Sequence, residues 1–452
     1  MRKRNFCVAM TAALLAGVML SGCGGNSGGT ATSAQSGGTE AKSEAKTEAA
    51  AGDEQNIVYI TNKDFVSTLE PIVAKYKEET GVNVTLEGYS FSDLTDVIEV
   101  KIGSGNKDYD VIAVDAPLAT SYAKRGLVAP IEEYYSDDEK KELTDVSVSA
   151  GSYEDQFYCP PMNTSSQVLF YNKKLLEDAG VSLPEGITVD NRITWEALTD
   201  LVRQAIGVLD PEHNNGIYGM ELRQVSRVYQ MNMLPNSLGG KNIGDDGYTV
   251  DGVINSEEWV KAMTWYQNLV NEGLFTRGIS ADETRNLFIS DKIIFMVDTT
   301  SLTSVCDKNG MDHYGWIPVP CFEGYEDKTA TPTGSWHFGI NAHSERKDEA
   351  ADFIKWMSIG EGADLWYENY HQLPTKVELL EQIEQDAEAP EYLKISAYES
   401  ANTAVLRAMT PGFNEYSTIL NAAWEDVRNG SDVKTTLDDA VSQINTAFEV
   451  YK

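Results

Sequence analysis

Histidine, cysteine and basic charge are all scarce in this 452-residue chain. Its five histidines, His213, His313, His337, His343 and His371, show no His-Glu-x-x-His spacing for a catalytic metal. There is no Gly-x-Ser-x-Gly turn for a nucleophilic serine and no phosphate loop. Lysine and arginine number 36 against 70 aspartates and glutamates, a formal net charge of −34. Nucleic-acid binding needs a basic footprint, which this balance denies. The same charge disfavours long-range attraction of anions, although a few local arginines can override a global field. Beyond Cys7 and Cys23 only Cys159, Cys306 and Cys321 remain, an odd number and no disulfide framework. A Cys306–Cys321 bridge stays open, but all three read as small buried apolar residues. No segment beyond the N-terminus has the apolar length, about 20 residues, of a membrane span.

What is present starts at the N-terminus. Arg2, Lys3 and Arg4 precede an apolar run, Val8 to Leu20, and then the small residues Ser21 and Gly22. That order reads as a signal peptide over residues 1–22. Leu20-Ser21-Gly22-Cys23 resembles a bacterial lipobox, which implies a lipid on Cys23 and a place on the extracellular face of the cell membrane. Losing residues 1–22 removes three basic groups and takes the net charge from −34 to about −37. Residues 24–55 carry no aromatic and no aliphatic larger than alanine, too little to offset the entropy of ordering. They read as a disordered tether with an end-to-end distance of roughly 30 Å.

The remaining body, about 400 residues, is too long for one typical domain and suggests two. Ile57–Ile60 reads as a strand, Phe65–Thr80 as a helix stopped by Gly81, and Val82–Leu86 as a second strand. Phe91–Gly103 reads as a helix and Tyr109–Val114 as a third strand. This β-α-β-α-β order predicts a parallel sheet with helices on both faces. Ligands of such folds bind beyond the carboxyl ends of the strands. Helices are expected over 195–209 with Thr194 as N-cap, and over 259–271, 348–357 and 435–451, with a buried strand over 293–297.

These segments resemble the extracellular solute-binding proteins of ABC importers, in the branch dominated by sugar binders. The likeness rests on Tyr109-Asp110-Val111 with Gly126-Leu127-Val128-Ala129-Pro130-Ile131, and on Phe157 to Pro161 with Leu169 to Lys173. Glu177-Asp178-Ala179-Gly180, Thr194-Trp195-Glu196, Gly315 to Pro320, Gly334-Ser335-Trp336 and Ala342 to Ile354 follow in order. It covers residues 56–452. The resemblance implies an α/β, two-lobe, type II periplasmic-binding-protein-like fold with a hinge between the lobes. One lobe is expected from 56–162 plus 334–372, the other from 163–333 plus 373–452, with solute between them. It further implies ABC permease subunits with a cytoplasmic ATPase as partners, a monomer, no cofactor and no enzymatic activity.

A sugar site needs aromatic platforms and planar polar groups. Strand ends nominate Asn62, Lys63, Asp64, Ser90 and Asp115, the last read either as a ligand group or as a helix N-cap. Asn163, Thr164 and Ser165 lie in the first crossover, able to bridge lobes or merely to bond hinge backbone. Trp336, after flexible Gly334 at the second crossover, is the preferred aromatic. Asp298, Thr299 and Thr300 end a strand of the other lobe. The resemblance adds Tyr229 and Gln230 on a cleft-lining helix. Phe413 and Tyr416 follow a Pro-Gly loop, and Tyr370 and Gln372 border the third crossover. Trp195, Trp259, Trp265 and Trp356 sit at helical core spacing and read as packing. Asp210 to Gly216 misses the spacing of a calcium loop and reads as a turn. Rival readings keep the fold and change the cargo to a polyamine, another organic cation or a peptide, with Asp64, Asp115 and Asp298 as counter-charges. A ligand sensor on the same fold and, less favoured, a glycoside hydrolase using paired carboxylates complete the alternatives.

Overall fold

The computed structural model describes residues 56–452 apart from 226, 278 and 371, and apart from the side chains of Phe91, Ser92, Ala281, Asp282 and Tyr370. Cys23, the signal segment and the tether lie outside the described residues. Nine strands build two sheets: β1 (Asn56–Asn62), β2 (Asn83–Tyr89), β3 (Val111–Asp115), β4 (Val128–Ala129), β5 (Gln167–Asn172), β6 (Tyr218–Leu222), β7 (Ile293–Thr299), β8 (Tyr314–Ile317) and β9 (Trp336–Asn341). The first sheet has the order β2-β1-β3-β9-β4 and the second β8-β5-β7-β6.

The first sheet begins as expected. Ile57, Tyr59 and Ile60 of β1 are fully buried, and β1 runs parallel to both β2 and β3. The helix Val66–Thr80 packs Leu69, Ile72, Val73 and Tyr76 inward and ends at Gly81, whose φ of 78° only glycine adopts freely. The sheet is nevertheless mixed, because β9 enters antiparallel beside β3 and β4. The helix expected over 91–103 is an α-helix over Phe91–Val97 that widens into a π turn over Ile98–Ile102. The last helix runs Val433–Phe448, set by Asp432, which accepts from the Thr435 N–H at 2.9 Å.

In the second sheet β6 and β7 are parallel, while β5 runs antiparallel to β7 and to β8. The helix Trp195–Leu209 is capped by Thr194, which accepts from the Ala197 N–H at 3.1 Å. Trp195 and Trp259 are buried, Trp265 lies tilted 5.4 Å from Trp195, and Trp356 lies 5.0 Å from Tyr76. Cys159, Cys306 and Cys321 are free thiols, all buried. Asp210 spends its carboxylate on the N–H groups of Asn214, Asn215 and Ile217 at 2.8–3.2 Å, which closes the turn after its helix. Among the described residues no helix is long and apolar enough to cross a membrane.

Three separate stretches of chain meet between the sheets. The Met162 N–H donates to the Trp336 carbonyl at 2.9 Å, and the Thr164 N–H to the Leu373 carbonyl at 2.9 Å. The Gly334 N–H reaches Ser165 O at 3.4 Å, and Thr164 Oγ1 donates to Gly334 O at 3.1 Å. Buried polar backbone in these strips is thus satisfied by the other strips rather than by a sheet.

Candidate functional site

The strand ends of both sheets open on one cavity of about 1380 Å³. Asp64 follows β1, Asp115 ends β3 and Trp336 starts β9, whereas Arg223 follows β6 and Thr299 ends β7. Ser165 and Thr164 enter just ahead of β5. Parallel strands present their carboxyl ends there, which leaves a crevice lined by loops instead of packed side chains.

The register of the first sheet places two candidates side by side. Trp336 is paired with Asp115 across the β9–β3 ladder. The indole is half-buried and meets Phe65 edge-on at 5.6 Å, and Phe65 meets the buried Trp366 edge-on at 5.4 Å. An aromatic packed against a ring that is itself packed on a third is restrained in its motion, which suits a platform. Asp115 occupies the cap position of the turn Ala116–Leu118, yet its side chain caps nothing. It is instead bound by both terminal nitrogens of Arg407, one at 3.3 Å. The same guanidinium lies 5.1 Å over the ring of Tyr229. The Tyr229 hydroxyl bonds Ser165 Oγ at 2.7 Å and accepts from Gln167 Nε2 at 3.0 Å.

The second sheet contributes charge. Arg285 donates to the fully buried Asp298 through Nε at 2.7 Å and Nη2 at 3.0 Å, and through Nη2 to Ser301 Oγ at 2.7 Å. Arg223 lies 3.9 Å from the same carboxylate. Thr299 and Ser301 share a hydroxyl bond of 2.7 Å. Planar guanidinium forks and hydroxyls held in this way can bind a polar solute from fixed directions.

Comparison with known proteins agrees with the architecture. The model of the bacterial extracellular solute-binding proteins matches residues 59–358. The chain belongs to that family. The sn-glycerol-3-phosphate-binding periplasmic protein of Rhizobium meliloti is 22% identical over 74% of this chain and 79% of its own. Among solved structures, a cyclo/maltodextrin-binding protein complexed with maltotetraose superposes with a TM-score of 0.73 at 19% identity, covering 89% of this chain and 100% of the other. The extracellular solute-binding protein of Staphylococcus aureus in complex with maltose gives 0.70 at 18%, covering 89% and 100%. The fold of this solute-binding protein is the mixed α/β type II periplasmic-binding fold.

Within that fold the cavity gathers Asp64, Asp115, Thr164, Ser165, Tyr229, Thr299, Thr300, Trp336, Gln372 and Phe413 from the residues expected at the site. Several others are placed elsewhere. Asn62 caps the turn Lys63–Phe65 by accepting from the Asp64 N–H at 3.0 Å, and Lys63 in that turn is exposed and does not line the cavity. Ser90 caps its helix, accepting from the Asp93 N–H at 3.2 Å. Asn163 is buried behind Trp336, accepting from its N–H at 3.1 Å and donating to Gln372. Gln230 lies under the cavity wall between the Gln224 N–H (2.7 Å) and Gln167 Oε1 (2.6 Å). Asp298 is fully buried and accepts from Arg285. Tyr416 is a core residue whose hydroxyl donates to Asn242 O at 2.6 Å. The Tyr370 side chain lies outside the described residues.

The lining also contains Arg223, Arg227, Arg285, Lys308, Arg407, Tyr367 and Tyr392, which sequence reasoning missed. Arg223 had a usable signal, since it directly follows β6. Gly334 sits at the site for its lack of a side chain: an added Cβ would fall 2.1 Å from Ser165 Oγ and 3.1 Å from the Tyr229 hydroxyl.

Proposed function

We propose that the chain is the solute-capturing component of an ABC importer and that its solute is a carbohydrate held in this cavity. The supporting observation is the buttressed face of Trp336 beside planar polar groups on one large cavity. Its volume of about 1380 Å³ exceeds the roughly 300–1,000 Å³ typical of small-ligand sites. Room for more than one sugar ring follows. The maltotetraose and maltose of the matched structures, and the glycerol phosphate in the name of one relative, are all small hydroxylated solutes. The relatives are binding proteins, and this chain is read as a binder and not an enzyme.

In this reading residues 56–162 and 334–372 form one lobe, residues 163–333 and 373–452 the other, and the bonded strips around 162–165, 333–336 and 372–373 form the hinge. A solute touching both lobes stabilises the closed form by its differential contacts. The monomeric, loaded protein then docks on permease subunits coupled to a cytoplasmic ATPase. A lipid on Cys23 and the tether over 24–55 keep the catcher at the outer face of the membrane.

A cationic solute would need carboxylates without partners. Asp115 and Asp298 are each held by an arginine, which favours the carbohydrate. A thermal-shift screen of the full chain against sugars, polyamines and amino acids tests this. A ligand at 100 times its dissociation constant adds about 2.7 kcal/mol. A carbohydrate that raises the melt is expected; a shift by a polyamine with none by any carbohydrate would overturn the reading.

A further inference from the structure

One ion pair joins the two walls of the cavity. Asp115 belongs to the first sheet. It ends β3, pairs with Trp336 of β9, and is followed by Ala116, whose N–H donates to Ser335 O at 3.0 Å. Arg407 is anchored on the other side. Thr331–Pro332 pair in parallel with Ala404–Val405, the Thr333 N–H donates to Val405 O at 3.0 Å, and Asn242 Nδ2 donates to Leu406 O at 2.8 Å. The guanidinium lies 5.1 Å over Tyr229, whose hydroxyl is tied to Gln167 of β5, and both its terminal nitrogens bond Asp115.

Nothing on its own sheet fixes the Asp115 side chain. It caps no N–H of the turn Ala116–Leu118, and among the described residues Arg407 alone donates to it. Both partners line the cavity, and both are sheltered, with side chains 18% (Asp115) and 13% (Arg407) exposed. Such a pair is screened less than one on the surface. An arginine fork also sets the plane of a carboxylate, which a point charge does not. A carboxylate offers about four acceptor positions, and the fork takes only part of them. The rest stay open to hydroxyls of a solute lying against Trp336.

We propose that Arg407 is a positioning residue that acts from the opposite lobe: it holds the Asp115 carboxylate beside Trp336 as an acceptor for sugar hydroxyls, and does so only while the lobes are together. This rests on the two-lobe, carbohydrate reading and deepens it. The pair is a contact that the closed form makes and the open form lacks, so it shifts the equilibrium toward closure before solute arrives. With the lobes apart Asp115 loses its one anchor. Binding must then offset both closure and the reordering of that carboxylate.

The test joins the size of the solute-free chain to its affinity. Small-angle neutron scattering of the full chain, in detergent matched out by contrast, reads the radius of gyration. Calorimetry reads the binding of maltose and maltotetraose, the saccharides of the matched structures. Arg407→Ala is expected to enlarge the solute-free radius and to weaken saccharide binding at least tenfold, with saturating saccharide restoring the natural radius. Arg407→Lys keeps the charge without the fork and should fall between. Asp115→Asn should act in the same direction. Asp115→Asn combined with Arg407→Ala should cost little more than the worse single change, because one residue acts through the other. The ligand-free melt checks that each variant folds; if Arg407→Ala does not, Arg407→Lys and Asp115→Asn decide. A folded Arg407→Ala with the natural solute-free radius overturns the cross-lobe hold. Unchanged affinity, or losses that simply add in the double variant, overturn the action through Asp115. If neither saccharide binds the natural chain, the carbohydrate reading is at fault, and the solute-free radius alone decides whether Arg407 holds the lobes.

Discussion

The two walls of the cavity are built from different chemistry. The first sheet offers a rigid aromatic face, Trp336 propped by Phe65 and Trp366, with the carboxylate of Asp115 beside it. The second offers guanidinium groups and hydroxyls organised by a carboxylate that never meets solvent. One wall is held by dispersion and burial, the other by charge pairing. The contrast suggests a division of labour, with shape and apolar contact read on one side and polar or ionic groups on the other.

The most severe way to break the contrast is to remove the support on each side. Asp298→Ala leaves the part-buried Arg285 without its carboxylate, and a loss of about 3–5 kcal/mol is expected. Phe65→Ala removes the ring between two tryptophans, for about 3–5 kcal/mol as well. Urea denaturation at low and high salt separates them: added salt should partly rescue Asp298→Ala by supplying anions and screening, and should do nothing specific for Phe65→Ala.

Acid sharpens the contrast next, because each sheet buries a group whose titration runs in the opposite sense to the other's. In β9, burial depresses His337 from 6.5 to about 4, with Nε2 3.3 Å from the Ser147 carbonyl. The unfolded chain therefore takes up a proton that the fold refuses. Stability from this group is complete above about pH 6.5 and falls as pH drops toward 4, by about 3 kcal/mol. In β6, burial raises Glu221 from 4.5 to about 7 despite the Thr276 hydroxyl at 2.5 Å. Here the fold holds a proton that the unfolded chain releases, so stability is complete below about pH 4.5 and is lost as pH rises through 7, again by about 3 kcal/mol. His337→Gln should flatten the acid side of a stability–pH curve and Glu221→Gln the neutral side; a curve unchanged by both contradicts the assignment.

A smaller effect is expected where the walls meet. Gly334→Ala pushes a methyl group onto Ser165 Oγ and turns it from Tyr229, at a cost of about 1 kcal/mol for one hydrogen bond. Chemical denaturation reads it, and Ser165→Ala in the same background should restore much of the loss by making room.

Much of the first sheet was legible because its signals are local. Alternating apolar residues, Gly81 as a helix stop and the rule that ligands sit past strand ends led to Asp64 and Asp115 and to the helices between them. The antiparallel entry of β9 was not legible, since nothing within Trp336–Asn341 says which neighbours it chooses. Among the candidate site residues, the misses share a cause. Asn163, Gln230 and Asp298 lie near the cavity but are consumed in satisfying buried donors around it, as buried polar groups must be. The arginines escaped for the opposite reason. Arg407 reaches Asp115 across 292 positions of sequence, from an irregular loop with no periodicity to mark it. Arg223 follows a strand whose Gly219 and Glu221 disguise it as a loop.

The most direct test of solute capture on the aromatic wall is a titration of saccharides, neutral and acidic, into the natural chain and into Trp336→Ala. At least one saccharide should bind the natural chain. The variant should lose about 2 kcal/mol of affinity, roughly 30-fold, while staying folded, with a somewhat lower melt, without ligand. Unchanged affinity in a folded Trp336→Ala, or no saccharide binding at all, would contradict it.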